Sequence, residues 1–77
     1  MAGAERQTID AALANAKSAI DRQDYAAAGA ILRTILSQHP FHERTLHVAG
    51  FYFQQRGQNE RARSAYRAAN LANPASW

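Results

Sequence analysis

Cysteine is absent from this 77-residue chain. Neither a disulfide framework nor a thiolate metal site can therefore form, and a reducing, cytoplasmic setting is the expectation. Proline occurs only twice and glycine four times, too few breakers for a loop-rich or many-stranded fold. No apolar run approaches the roughly 20 residues that span a bilayer. Residues 1–8, MAGAERQT, lack the basic start and apolar core of a signal peptide. No membrane association is expected. Nor is there a Gly-rich phosphate loop, and Ser18, Ser37, Ser64 and Ser76 have no glycine elbow beside them. Catalysis and a cofactor are not expected.

What is present is alanine-rich and helix-forming, with apolar residues making up 47% of the chain. The net charge of +3 is unevenly placed. In residues 1–42, Arg6, Lys17, Arg22 and Arg33 balance Glu5, Asp10, Asp21 and Asp24, whereas in residues 43–77 Arg44, Arg56, Arg61, Arg63 and Arg67 face only Glu43 and Glu60. The excess lies wholly in the second half. At this length the core is small, and no covalent staple supplements it.

Apolar spacing predicts four helices. The first, starting between Glu5 and Ile9 and ending near Arg22, carries Ile9, Ala12, Leu13, Ala16, Ala19 and Ile20 on one side. With alanine at so many of these places, it is expected to pack shallowly. Gln23-Asp24-Tyr25 breaks it, with Asp24 as a cap for the second helix, Tyr25 to about Gln38, which buries Ala28, Ile31, Leu32 and Ile35 before Pro40. A third helix is expected from Phe41 to Arg56, closed by Gly57 at the left-handed position. Asn59 is expected to cap a fourth, from Glu60 to about Leu71.

Counted from Glu43, the residues Leu46, Gly50, Phe53, Ala62, Tyr66, Ala69 and Pro74 fall at positions 4, 8, 11, 20, 24, 27 and 32. Small residues at Gly50 and Ala62 let two helices approach closely, while Phe53 and Tyr66 fill the space left over. This alternation resembles the tetratricopeptide repeat of 34 residues. Pro40 and Ala28 occupy the matching places one repeat earlier, and Tyr25 matches the family's aromatic after the turn. Gln23 stands where the family carries glycine, the residue suited to positive φ. The organisation expected is a lead-in at 1–8, repeats at 9–42 and 43–76, and Trp77 as the start of an incomplete third. The fold class is all-α, four antiparallel helices in a short superhelical array.

The resemblance implies a protein-interaction scaffold whose inner helices line a concave, peptide-binding groove. Carried over by position, the groove consists of Leu13, Lys17, Arg44, His47, Val48 and Phe51, within a wider set that includes Asp10, Ala14, Ile20, Asp21, Gln54 and Gln55. The family's carboxylate clamp, which holds the acidic C-termini of heat-shock chaperones, needs Lys and Asn where this chain has Leu13 and Lys17, and Asn where it has Val48. Chaperone-tail binding is therefore not expected. A peptide with acidic and apolar residues is.

Other polar residues carry less. His39 and His42 flank Pro40, so they share a turn rather than a helical face, and with His47 they lack a completing ligand; no metal site is expected. Arg56, Arg61, Arg63 and Arg67 have no interleaved aromatics and read as a solvated outer face rather than a nucleic-acid footprint. Two repeats without a polar capping helix leave Ala65, Ala68, Leu71 and Trp77 toward the place of a third. A homodimer through Tyr66, Leu71 and Trp77 is the expected cover. The alternative function is an N-terminal appendage of a larger enzyme such as an oxygenase or transferase.

Overall fold

The computed structural model describes residues 2–72, with side chains from residue 9 onward. Four helices follow one another: α1 (Ala2–Asp21), α2 (Tyr25–Gln38), α3 (Glu43–Gln55) and α4 (Asn59–Ala72). Among the described residues there is no strand, and the fold is all-α. Consecutive helices pack as hairpins, α1 on α2 and α3 on α4, and α3 also packs against both α1 and α2. α3 is thus the one helix that touches all the others.

The turns of the two hairpins repeat each other at an offset of 34 residues. After α1, the Gln23 N–H donates to the Ile20 carbonyl at 2.9 Å and the Asp24 N–H to the Ala19 carbonyl at 2.8 Å. After α3, the Gly57 N–H donates to Gln54 at 3.1 Å and the Gln58 N–H to Phe53 at 2.9 Å. This paired pattern closes a helix through one left-handed residue. That residue is Gly57 in the second turn (φ 77°) and Gln23 in the first (φ 62°). Gln23 accepts the strain that glycine would avoid.

The next residue in each turn caps the following helix. Asp24 accepts the Ala27 N–H at 3.3 Å. Its counterpart is Gln58, whose carbonyl receives the Ala62 N–H. The expected cap, Asn59, instead lies inside α4 as its first residue, because the turn places the helix start one residue earlier than the sequence suggested. Gln58 fills the position poorly: its Oε1 is buried and has no donor among the described residues. Gln58→Asp should remove that orphan and install the Asp24 type of cap, gaining about 1 kcal/mol. A thermal melt should rise by about 4–8 °C, and a lowered Tm would refute the assignment.

Two other helix starts differ from expectation, and α3 ends at Gln55, with Arg56 as its C-cap, rather than at Arg56. α1 begins at Ala2 rather than between Glu5 and Ile9, since the alanine, glutamate, arginine and glutamine of this stretch are good helix formers and outweigh Gly3. α3 begins at Glu43 rather than Phe41, because His42 is the N-cap. The Thr45 N–H donates to His42 Nδ1 at 3.3 Å, and the Thr45 hydroxyl lies 2.8 Å from the same nitrogen. Imidazole with its proton on Nε2 serves as acceptor for both, and Thr45, wholly buried, is satisfied by this pairing.

The core runs through all four helices: Leu13, Ala16, Ala19 and Ile20 of α1; Ala28, Leu32 and Ile35 of α2; Val48, Ala49 and Tyr52 of α3; and Ala65 of α4. Shallow packing of α1 is not what occurs. Ala16 and Ala19 are sealed, as is Ala28 opposite, because alanine buries itself by letting backbones close in rather than by reaching across a gap. Ala65, expected to face a missing third repeat, is instead buried in the core. Two glycines make close contacts of the same kind. A Cβ on Gly50 would stand 2.6 Å from the Tyr66 ring, and one on Gly29 would stand 2.6 Å from the Tyr52 hydroxyl. The first pairing follows from the repeat pattern; the second does not.

Candidate functional site

Helical spacing brings two sets of side chains to one side of the α1–α3 contact. α1 contributes Leu13, Lys17 and Asp21, each four residues apart, and α3 contributes Arg44, His47, Val48 and Phe51. Together they line a cleft of about 450 Å³. All six residues expected in the groove are here. Asp21, part of the wider set, lines it too. Asp10, Ala14, Ile20, Gln54 and Gln55 do not: Asp10 reaches the site only through its ion pair with Arg44, Ile20 turns into the core, and Gln54 is held by the Tyr66 hydroxyl, which donates to its Oε1 at 3.1 Å.

The floor is apolar and the rim is polar. Leu13 and Val48 are buried and present only an edge to the cleft, while Phe51, 38% exposed, stands as a wall. Arg44 does not act alone. Its Nη1 donates to Asp10 Oδ1 at 2.9 Å, so α1 and α3 are bridged between residues 34 apart, each second in its repeat. Both side chains are largely exposed, which limits the pair to about 0–1 kcal/mol. His47 lies with its Nε2 3.7 Å from Glu43 Oε1 and its ring 6.1 Å from that of Tyr66. Lys17 makes no ion pair among the described residues and is the cation most available to a ligand.

The rim is therefore less basic than the sequence implied. Asp10 neutralises Arg44, and Asp21 adds a negative group beyond Lys17. The signal for the first was in plain view, since Asp10 and Arg44 stand at the same position of successive repeats with opposite charge. Among the described residues no group of three His, Cys, Asp or Glu side chains converges to hold a metal. His42 is engaged as the α3 cap, and His47 lies on a different face from it.

Of the residues expected at a self-association surface, Tyr66 is half-buried with its ring over Gly50, and Leu71 is 78% exposed. Trp77 lies outside the described residues. No described helix is long and apolar enough to cross a membrane. No protein-family model, no curated protein and no solved structure matches this chain.

Proposed function

We propose that this chain is a non-catalytic interaction module of tetratricopeptide type, and that it binds a peptide segment in the cleft between α1 and α3. The observation that carries this reading is the convergence of Leu13, Lys17, Arg44, His47, Val48 and Phe51 on one cleft with an apolar floor. An extended or helical segment could lay an apolar side chain against Phe51, Leu13 and Val48 while a carboxylate meets Lys17 or displaces Asp10 from Arg44. Displacement is cheap because the pair is solvent-exposed. With only two inner helices the groove is short, and affinity should be weak.

Titration of a fluorescent acidic and apolar peptide, against wild type and a Phe51→Ala/Arg44→Ala double variant, tests it. Losing an aromatic anchor and a charged contact should weaken binding by roughly tenfold or more. Unchanged affinity in the double variant would remove the cleft from consideration.

A second reading, self-association, is favoured by Leu71 of α4 and by Phe41, which precedes the α3 cap; each is 78% exposed. Light scattering over a range of concentrations, on wild type and Leu71→Ser, separates the two. A wild-type chain monomeric at high micromolar concentration would exclude it.

A further inference from the structure

A second cleft, of about 480 Å³, opens on a different face of α3, where α2, α3 and α4 meet. Three arginines from three elements border it: Arg33 of α2, Arg56 at the C-cap of α3 and Arg61 of α4. Its apolar lining comes from Leu32, Leu36 and Phe53, and no carboxylate lines it among the described residues. Glu60 lines an adjoining hollow that shares Leu36, Ala49, Phe53 and Arg61 with this cleft, and it forms no ion pair with Arg61. None of the three guanidiniums forms an ion pair among the described residues.

One of them is held in place. The Arg56 Nη1 donates to the Tyr52 hydroxyl at 2.9 Å, with the guanidinium carbon 5.5 Å from the centroid of the same ring. Tyr52 in turn is 8% exposed and seated on Gly29. The guanidinium is thereby tethered at the cleft while most of its donors stay open. A solvated outer face would scatter such charges. Here the chain gathers them, and a concave wall focuses their field.

We infer that this cleft binds the anionic side chain of an acidic peptide, carboxylate or phosphate monoester, with a neighbouring aliphatic residue against Leu36 and Phe53. Arginine suits both anions because its fork donates two parallel hydrogen bonds to paired oxygens. A peptide fits better than a nucleic acid. The cations ring a single hollow instead of following a strand, and the most enclosed aromatic, Tyr52, is buried rather than offered for base stacking. This site is independent of the α1–α3 cleft and can fail or stand without it.

The test uses the whole chain and four probes: a short peptide alternating glutamate and leucine, the same peptide with phosphoserine replacing the glutamates, inorganic phosphate alone, and a single-stranded oligouridylate. Binding is followed by NMR, reading the arginine Nε–Hε signals and the Gly29 and Phe51 amides. Either peptide should shift Arg33, Arg56, Arg61 and Gly29 saturably and leave Phe51 still. The tighter of the two identifies which anion is preferred. Arg33→Gln/Arg61→Gln, both exposed and expected to fold, should weaken binding at least tenfold, whereas Phe51→Ala/Arg44→Ala should not. Raising salt should weaken it as well. Unchanged affinity in Arg33→Gln/Arg61→Gln, shifts confined to Phe51, phosphate binding as tightly as the peptides, or tighter binding of the oligonucleotide would each overturn the assignment.

Discussion

Tyr52→Ala should remove about 3–5 kcal/mol of stability, the largest loss expected from any single truncation here. Tyr52 belongs to α3, but besides its own-helix neighbours Phe53 and Arg56 it reaches two residues of α2. Its ring meets Tyr25 edge-on at a centroid separation of 6.2 Å and Phe53 at 5.2 Å, and its hydroxyl sits over Gly29 of α2. It is therefore the aromatic that fastens the first hairpin to the second. A domain of this size has a net stability on the order of 4–12 kcal/mol, so the loss takes most or all of the margin at the low end of that range and about a quarter to two-fifths of it at the high end. Tyr52→Phe separates the ring from the hydroxyl. It loses the Arg56 hydrogen bond alone and should cost about 0.5–1.5 kcal/mol. Urea melts followed by circular dichroism measure both. If the alanine variant were no worse than the phenylalanine one, the ring would not be joining the hairpins.

A second large effect is expected at Gly50, where two tendencies oppose each other. Alanine is a better helix former than glycine by about 1 kcal/mol, which alone would make Gly50→Ala stabilising. Against that, the new methyl would lie 2.6–2.8 Å from three atoms of the Tyr66 ring, closer than carbon atoms tolerate. The ring is tethered through its hydroxyl to Gln54 on α3 itself, so it cannot swing away without losing that hydrogen bond. The steric term should prevail, for a net loss of about 1–3 kcal/mol. Tyr66→Leu in the Gly50→Ala background should recover part of it, giving a coupling of about 0.5–3 kcal/mol in the double-mutant cycle. Arg63→Ala, on the exposed side of α4, should stay within about 0.5 kcal/mol and serves as the control. A stabilising Gly50→Ala would mean that α3 and α4 are not in contact at this point.

The two cases differ in how far they could be read in advance. Gly50 and Tyr66 stand 16 residues apart at fixed places of a repeat, and the small-large alternation announces their contact. Gly29 and Tyr52 carry no such mark. Their meeting depends on how α2 lies across α3, a relation between hairpins rather than within one. The same division holds for the clefts. Leu13, Lys17, Arg44, His47, Val48 and Phe51 were legible because the resemblance to the tetratricopeptide repeat implies an inner face at their positions. Arg33 could not be grouped with Arg56 and Arg61 from the sequence, since α2 and α4 are separated by a whole helix. Arg63, grouped with them by proximity along the chain, lines a different hollow beside Tyr66.

Local interactions, whose range is a few residues, are what the sequence by itself determined: four helices, their ends to within a few positions, the apolar face of each and the left-handed residues between them. Gly57 and Pro40 act at their own positions, and helical spacing needs no partner to be recognised. Helix starts slipped by a residue or two, from Glu60 to Asn59 and from Phe41 to Glu43, because the hydrogen bonds that end one helix also set where the next begins. The tertiary structure decided everything that depends on two elements at once. It neutralised Arg44 with Asp10, sealed Ala16, Ala19 and Ala65, and drew three arginines around one hollow. The reason is physical: burial and charge pairing depend on distances between helices, and those distances are set by how closely the small residues allow their backbones to approach.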